Sequence, residues 1–371
     1  MIPEVKRFED LLTNYFEIDD LQATEIVIAA AVSHKVGWSE MLWLRIIGAS
    51  GSGKTELLRT LSSQTFCMPM ENITAGAIRR GYIVKKDDKT YEPTLLERLN
   101  GKLAITKEFA TMLTKDVDAQ KEIFGLLRSV YDGELTCDYG SEQGHLSQKT
   151  HFDWILGSTS YIDKIRSIEY LLGSRFIDIH WETPLNREYA VNKAINNNYS
   201  LDTIREALSR AMTDIYQLAL TPVTPKLDYI SEMADIGASL RSPVMRDNHN
   251  DIEDIPEIEL GTRMGQSLSR IATGLKMIGV EDADLKPYLA RIVFNSMTRI
   301  RTAVIKAWIS GLTKQSEISA RLGVNQGTVS RIVEDIKLLG WKDKWLDTLD
   351  GYHIKSGVQT QVMEGSKDDK N

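Results

Sequence analysis

The chain has 371 residues, of which 42% are hydrophobic and 26% charged, and its net charge is −7. Composition and length are ordinary for a folded protein of two or three domains. Two cysteines form neither a metal-ligand spacing nor a disulfide framework, and no apolar run is long enough to span a membrane. These features exclude a disulfide scaffold and a membrane protein, and they favour a cytoplasmic location.

The charge is distributed unevenly along the chain. From Met297 to Trp345, nine Lys and Arg stand against four Asp and Glu, whereas residues 247–259 include six acidic residues. An acidic protein is a poor general binder of nucleic acid, but a local basic surplus is typical of a binding module. The sequence therefore predicts a basic C-terminal module on an acidic body.

The N-terminal third contains two predicted helices followed by a strand, a glycine-rich turn and a third helix. Residues 3–34 have helical periodicity, with Asp20 or Thr24 as a helix start, and we expect these helices to cover one face of a sheet. An apolar strand begins at Leu42. The turn after it, from Gly48 to Thr55, matches the phosphate-binding pattern G-x-x-x-x-G-K-[ST] without a departure.

Each residue type in this turn suits phosphate binding. Glycines allow backbone angles that direct successive N–H groups at phosphate oxygens, and the next helix adds its positive N-terminal dipole. Lys54 would reach the β- and γ-phosphates, and the Thr55 hydroxyl would hold Mg²⁺. An ordinary Gly-Ser loop is the alternative interpretation. We predict a nucleotide site formed by Gly48, Ser50, Gly51, Ser52, Gly53, Lys54, Thr55 and Glu56.

Three later segments also resemble buried strands, at residues 102–109, 152–160 and 173–179. The first ends in Glu108, an acid that could hold Mg²⁺ or polarise water, although Lys107 replaces the second acid that such strand ends usually carry. An amphipathic helix at 116–131 precedes a predicted hairpin at 134–147. Strands that alternate with helices around a phosphate loop predict a parallel α/β sheet with helices on both faces.

Helical periodicity dominates the rest of the chain, and it leads to a division into five parts. We predict N-terminal helices at 1–41, an α/β core at 42–183, a helical lid at 184–296 with an acidic linker at 246–260, a winged helix-turn-helix at 297–355 and a polar tail at 356–371.

The module at 297–355 has the pattern of a helix-turn-helix. A helix capped by Thr313, a turn at Gly323 to Asn325 and a second helix that ends at Gly340 form the motif, and residues 341–354 form a possible wing. The start of the second helix reads base edges in such motifs, so we expect DNA contacts there. Winged helices also dock proteins, which is the alternative. The predicted contacts are Gln326, Thr328, Ser330 and Arg331.

From its N-terminal helices to about Trp308, the chain resembles AAA+ ATPases of the minichromosome-maintenance type and their phage and mobile-element relatives. The resemblance implies ATP as cofactor with Mg²⁺, Glu108 on the Walker B strand and Thr159 as sensor 1. Arg175, within Leu172-Gly-Ser-Arg-Phe176, resembles an arginine finger that acts on the neighbouring subunit, and Arg263 resembles sensor 2. Residues 134–147 occupy the position of a pore hairpin.

Each of these assignments has a structural alternative. Glu108 could be an ordinary solvent-exposed strand end, and Ser158 and Ser160 are hydroxyls placed as well as Thr159. Arg175 could instead pair with Asp178 or Glu169, and Arg263 with Glu259.

The resemblance implies a ring-forming ATPase, hexameric in its relatives, that works as a DNA helicase or translocase in replication, together with other replication proteins. The alternative is an ATP-switched DNA-binding regulator that does not unwind DNA. Lys107 at the position of the usual second acid indicates slow hydrolysis, which would suit such a regulator. A small-molecule kinase fits less well, because no second substrate pocket is evident and the helix-turn-helix would have no role.

Overall fold

The structure is a computed structural model, which describes residues 1–79, 83–84, 91–109, 112, 114–138, 145–164, 173–341 and 345–349. It is an α/β protein with a five-stranded parallel sheet flanked by helices, followed by a C-terminal helical region. In the described part of the chain, no helix is both long and apolar enough to cross a membrane.

The α-helices are α1 Pro3–Tyr15, α2 Leu21–Ser33, α3 Lys54–Ser62, α4 Ala75–Arg79, α5 Leu95–Leu99, α6 Val117–Tyr131, α7 Arg187–Asn196, α8 Leu201–Leu218, α9 Ile230–Arg241, α10 Thr262–Met277, α11 Leu285–Asn295, α12 Arg299–Ile309, α13 Gln315–Leu322, α14 Gln326–Leu338 and α15 Trp345–Leu349. The strands are β1 Trp43–Ile47, β2 Cys67–Pro69, β3 Ile83–Val84, β4 Tyr91–Glu92, β5 Leu103–Thr106, β6 Glu134–Asp138, β7 His145–Lys149, β8 Asp153–Ser158 and β9 Phe176–His180.

The central sheet has the strand order β2-β5-β8-β1-β9, and all of its pairings are parallel. The four strands that the sequence predicts are β1, β5, β8 and β9, so the prediction of a parallel sheet is confirmed. Strand β2 has three residues, which is too short for a periodic signal. Because parallel strands end at one edge, the residues that follow β1, β5 and β8 come together there.

Helices cover both faces of the sheet, because alternate residues of a strand point to opposite sides. In β1, Leu44 and Ile46 belong to a core that includes α2 and the helices after β9. Trp43 and Ile47 belong to a second core that includes α6. Burial of every residue in β1, β5 and β8 follows from this double cover.

A buried ion pair joins the central strand β1 to its neighbour β9. Arg45 lies directly opposite Asp178 in the parallel register. The Arg45 Nε donates to Asp178 Oδ1 over 2.7 Å, and Nη2 donates to Oδ2 over 3.1 Å. Both residues are almost fully buried. Since a buried charge without its partner is costly, this pair fixes the alignment of the two strands.

Two further buried carboxylates attach helices to the sheet. Asp153 at the start of β8 accepts hydrogen bonds from Arg270 of α10 and from His34, the latter over 2.6 Å. Burial alone would raise the Asp153 pKa, but the His34 hydrogen bond and the Arg270 charge hold that pKa below its usual value. Asp20, the cap of α2, binds both terminal nitrogens of Arg291 of α11. The expected helix start at Asp20 is therefore confirmed.

The hairpin predicted at 134–147 is present as the antiparallel pair β6 and β7. Its tip, residues 139–144, lies outside the described residues.

The C-terminal region begins with three helices, α12 to α14, that have the predicted order. Gly323 has φ +63° between α13 and α14, and Asn325 caps α14 by accepting from the Gly327 N–H. The predicted cap at Thr313 is wrong, since α13 begins after Lys314 without a side-chain cap. In the segment expected as a wing, 345–349 form helix α15, and residues 342–344 and 350–354 lie outside the described residues.

Glu9 of α1 gives the fold a testable pH dependence. Burial and the neighbouring Glu25 carboxyl raise the pKa of Glu9 to about 8. The folded state thus holds this proton more tightly than the unfolded chain, so the stability from this site is full below a pH of about 4.3 and is lost as pH rises toward 8. The neutral Gln in Glu9→Gln does not lose this stability. We therefore expect the free energy of unfolding of Glu9→Gln, relative to that of the natural chain, to increase by about 1–3 kcal/mol as pH rises from roughly 5 to roughly 9.

Urea unfolding of both chains at roughly pH 5 and roughly pH 9 measures this change in the free energy of unfolding. Glu188→Gln is the matched control, because Glu188 is exposed. An equal pH dependence in Glu9→Gln and in the natural chain would contradict the burial argument.

Candidate nucleotide-binding site

The predicted phosphate loop joins the carboxyl end of β1 to the start of α3. Gly51 and Gly53 have φ values of +75° and +91°, which favour glycine. Gly48 is required for a different reason, because a Cβ there would lie 2.9 Å from the Trp181 carbonyl oxygen. The loop is therefore a tight backbone cradle at a helix N-terminus, the geometry that suits a phosphate.

Lys54 is folded onto this cradle. Its Nζ donates to the carbonyl oxygens of Gly48 and Ala49 over 2.9 and 2.7 Å, and to Ser52 Oγ over 3.4 Å. Burial lowers the Lys54 pKa, and the negative charge of Glu108 opposes that shift. The ammonium group is thus held where an anion in the loop would meet it.

Two residues that the sequence did not single out support the loop from behind. The Trp181 Nε1 donates to the Ser52 carbonyl oxygen over 2.8 Å. The Ile18 side chain, from the segment before α2, lies against Gly53, where a Cβ would approach it to 3.0 Å. Trp181 directly follows β9, and a residue at that edge of a parallel sheet could have been suspected. Ile18 is brought there by tertiary packing alone.

Glu108 lies at the same edge of the sheet as the loop. Gly157 of β8 makes this possible, since a Cβ there would lie 2.7 Å from the Lys107 carbonyl oxygen, and the Phe109 N–H donates to the Gly157 carbonyl over 2.8 Å. Glu108 is exposed and close enough to Lys54 to affect its pKa. The structure thus brings together the two residues that the sequence proposed as catalytic partners.

Lys107, which occupies the place of the second acid, is paired with a carboxylate. Its Nζ lies 3.6 Å from Glu71 Oε1, and its backbone N–H donates to the same oxygen over 3.2 Å. Glu71 follows β2, so its position could be inferred only once β2 was known to be a strand of this sheet. The charge of Lys107, the residue before Glu108 in the chain, is therefore balanced by the Glu71 carboxylate.

The hydroxyl residues after β8 differ in exposure. Thr159 is half-buried and Ser160 exposed, whereas Ser158 is buried and its Oγ donates to the Thr159 carbonyl over 3.3 Å. The parallel register places Ser158 beside Ile47, so Thr159 is level with Gly48 at the loop. Thr159 is therefore the better placed hydroxyl for a ligand in the cradle.

These residues fit a magnesium–nucleotide complex. The backbone cradle and Lys54 suit phosphates, and Thr55 is exposed at the second position of α3. Within the described ranges no three His, Cys, Asp or Glu residues cluster as a metal site. Magnesium at a nucleotide needs only one or two protein ligands besides phosphate and water, so Thr55 and Glu108 are sufficient.

Glu56, the last residue of the predicted loop set, points to helix α8, which lies in the segment that the sequence analysis predicted to be a lid. Arg205 of α8 donates to both Glu56 carboxylate oxygens, over 2.9 and 2.8 Å. The side chain of Glu56 therefore joins α3 to α8, and a contact of Glu56 with nucleotide would come from its backbone.

Arg175 and Arg263 lie together at the opposite edge of the sheet. Arg175 donates to the Gly173 carbonyl over 2.9 Å and to Asp132 over 3.2 Å, and Arg263 donates to the Ser174 carbonyl over 3.2 Å. Arg175 is only 9% exposed. Burial and the nearby Arg263 charge lower the Arg175 pKa. These two arginines form one cationic pair.

The alternative pairings of these arginines have different outcomes. Asp178 is bound to Arg45, so the pairing of Arg175 with Asp178 is wrong. Glu169 lies outside the described residues. The pairing of Arg263 with Glu259 exists at 3.9 Å.

Arg175 lies too far along the sheet to reach the loop of its own chain. In the register of β1 and β9, Phe176 lies opposite Trp43, so Arg175 is level with Leu42. Six residues separate that level from Gly48, which is about 20 Å at about 3.3 Å per residue. A phosphate that meets both Lys54 and Arg175 must therefore lie between two chains.

The predicted DNA contacts lie at the start of α14. Gln326 and Ser330 are exposed, and Thr328 and Arg331 are half-buried. Arg331 does not point freely to solvent: its Nη1 donates to Asn250 Oδ1 over 2.7 Å, and its Nη2 donates to Thr328 Oγ1 over 3.4 Å. The four predicted residues therefore lie on one helix. Asn250, which contacts Arg331, lies within the acidic segment that the sequence analysis interpreted as a linker.

No protein-family model matches this chain, and a search of curated proteins returns no relative. The candidate site is therefore defined by its own residues and their geometry.

The Trp181 contact predicts a specific effect on ligand binding. Trp181→Phe keeps an aromatic ring behind the loop but removes the hydrogen bond to Ser52. Because one such bond contributes about 0.5–1.5 kcal/mol, we expect nucleotide affinity to fall by roughly two- to tenfold. Titration with a fluorescent ATP analogue measures the change.

Trp341→Phe is the matched control, because Trp341 lies beside Trp308 and Trp345 in the C-terminal region. Equal affinities for the two variants would show that Trp181 does not shape the loop.

Proposed function

We propose that this protein is a DNA-dependent ATPase of the AAA+ type, assembled as a ring and acting as a helicase or translocase in the replication of a phage or mobile element. The observation that carries the proposal is the meeting of the phosphate loop, Glu108 and Thr159 at one edge of a parallel sheet. A complete loop motif, an acid close to its lysine and a nearby hydroxyl together suit phosphoryl transfer better than any other chemistry.

Bound ATP with Mg²⁺ would supply the phosphoryl group and neutralise part of its charge. The side chains of the protein would position the reacting groups and stabilise the charge that develops on the phosphoryl group. The Lys54 ammonium leaves the loop carbonyls for phosphate oxygens, Glu108 orients and deprotonates the attacking water, and the Thr159 hydroxyl holds that water in line. Electrostatic positioning of this kind accounts for most of the rate in such reactions.

The cationic pair supports action between subunits. Among the residues that the structure describes, Arg175 Nε is a buried donor without a hydrogen-bond partner. Two adjacent guanidinium groups with an unmet donor are suited to an anion, and the nearest fixed carboxylate, Asp132, is more than half exposed. In a head-to-tail ring, Arg175 and Arg263 would leave Asp132 and Ser174 for the phosphates of a neighbouring chain. An arginine supplied in trans contributes about 10³–10⁵ in rate.

The helix pair α13 and α14 supports DNA as the second ligand. Gln326 and Ser330 are exposed on the N-terminal turns of α14, the part of a helix-turn-helix that enters the major groove. This region also carries the local surplus of basic residues. A ring that hydrolyses ATP and carries such helices has the parts needed to grip DNA in step with hydrolysis.

A second candidate function is an ATP-switched DNA-binding regulator. The Lys107–Glu71 pair favours it, because a cation beside Glu108 weakens the field that holds Mg²⁺ and would slow turnover. In that case nucleotide would set assembly, and no strands would separate.

Substitutions of Lys54 in the loop and of Glu108 after β5 test the ATPase proposal. We expect Lys54→Ala to abolish DNA-stimulated ATP hydrolysis. Glu108→Gln should still bind ATP but turn it over about 10²–10⁴-fold more slowly, as for loss of a general base. Phosphate release and nucleotide binding measure the two effects, and unchanged turnover in Lys54→Ala would refute the site.

Mixing of variants tests action between subunits. Arg175→Ala and Lys54→Ala should each be inactive alone, but a mixed ring contains sites with an intact loop from one chain and an intact arginine from the next. We expect the mixture to recover ATPase activity, and no recovery at any ratio would contradict a finger in trans.

Strand separation distinguishes the two candidate functions. A forked duplex incubated with ATP should be unwound by a helicase, whereas a regulator should bind it in an ATP-dependent manner and leave it paired. The Lys54→Ala variant is the control for both outcomes.

A further inference from the structure

Residues 246–259, here named the acidic strap, connect α9 to α10 and carry six acidic residues. The start of the strap is a tight turn. Arg246 and Ile252 form an antiparallel bridge, and Asp247 Oδ1 accepts from the N–H groups of His249 and Asp251. Asn250 lies at the tip with φ +68°, a conformation in which asparagine is favoured over most residues. The strap is thus an ordered structure rather than a simple linker.

This turn is fastened to α14, the proposed DNA-contacting helix. Asn250 accepts the 2.7 Å hydrogen bond from Arg331. At the base of the turn, Arg246 Nη2 lies 2.8 Å from Glu334 and 2.7 Å from Asp335, further along α14. Two points of attachment therefore hold the strap against one side of the helix.

We propose that the acidic strap is an autoinhibitory cover that competes with DNA for α14. The inference rests on the proposed function of α14. A carbonyl oxygen of the strap occupies Arg331, which the sequence assigns to base or phosphate contact. The strap's carboxylates repel the phosphates that would approach the same surface. DNA and the strap therefore compete for the Arg331 guanidinium, because Asn250 accepts from its Nη1 and holds it against the strap.

The other end of the strap is attached beside the cationic pair. Glu259 binds Arg241 through both carboxylate oxygens, over 2.8 and 2.7 Å, and lies 3.9 Å from Arg263. Glu259 follows Asn250 by only nine positions in the sequence. A phosphate that draws Arg263 away removes one contact from this end, so nucleotide at the neighbouring chain weakens the cover. By linkage, DNA that displaces the cover favours that nucleotide contact in return.

A variant that weakens the contact between the strap and α14 tests the proposal. Its DNA affinity is compared with that of the natural full-length chain. Asn250→Gly removes the amide that holds Arg331 and keeps a residue suited to positive φ. We expect it to bind a labelled DNA duplex about two- to tenfold more tightly than the natural chain, the effect of one lost competing hydrogen bond. Asn248→Gly, in the same turn, is the matched control and should not change the affinity.

A charge variant tests the same cover independently. Glu253→Gln with Asp254→Asn keeps the turn and the Asn250 contact but removes two carboxylates. We expect tighter DNA binding at low salt and a gain that shrinks as salt rises, because the repulsion is screened. DNA-independent ATPase activity and thermal unfolding should match the natural chain, which shows that both variants are folded.

Arg331→Ala separates this proposal from the function on which it rests. If Arg331→Ala and Gln326→Ala leave DNA affinity unchanged, α14 is not the DNA surface, and both proposals are overturned. If they weaken binding while Asn250→Gly and the charge variant bind as the natural chain does, DNA still binds α14 and only the autoinhibitory cover is wrong. Tighter binding by both strap variants supports the cover.

Discussion

The register between β1 and β9 is the constraint on which the rest of the structure depends. Arg45 and Asp178 are fully desolvated opposite one another, and a shift by one residue would leave two buried charges unpaired. Removing one partner from such a pair costs about 3–5 kcal/mol, so alternative registers are strongly disfavoured. The same register places the phosphate loop at one edge of the sheet and Arg175 at the other.

A consequence of this register is that the site is divided between two edges. Lys54, Glu108 and Thr159 lie where the strands end, and the cationic pair lies where β9 begins. Under the proposed function, each chain would contribute one half of a shared site from each edge, the heterologous arrangement that can close by rotation into a ring. The acidic strap connects Glu259, beside Arg263, to Asn250 at α14, so the proposed nucleotide and DNA contacts would lie at the two ends of one segment.

The sequence predicted those features that local patterns determine. The four longer strands of the central sheet, the phosphate-loop helix, the hairpin and the α13–α14 turn all have strong periodicity or turn residues, and each is present. The site residues supplied by tertiary packing could not be predicted in this way. Trp181 and Ile18 support the loop from distant parts of the chain, and Glu71 follows a strand of three residues. The contact of Asn250 with Arg331 could not be predicted, because an acidic, proline-containing stretch resembles a linker. Thr313 failed as a cap because α13 starts two residues later.

The proposed function depends on nucleotide bound between adjacent chains, with Arg175 of one chain completing the site of the next. The most direct measurement is electron microscopy of the protein with a non-hydrolysable ATP analogue and DNA. We expect a closed ring in which each analogue contacts Lys54 of one chain and Arg175 of its neighbour, with DNA at α14. A single chain that binds the analogue while Arg175 stays paired with its own Asp132 would contradict it.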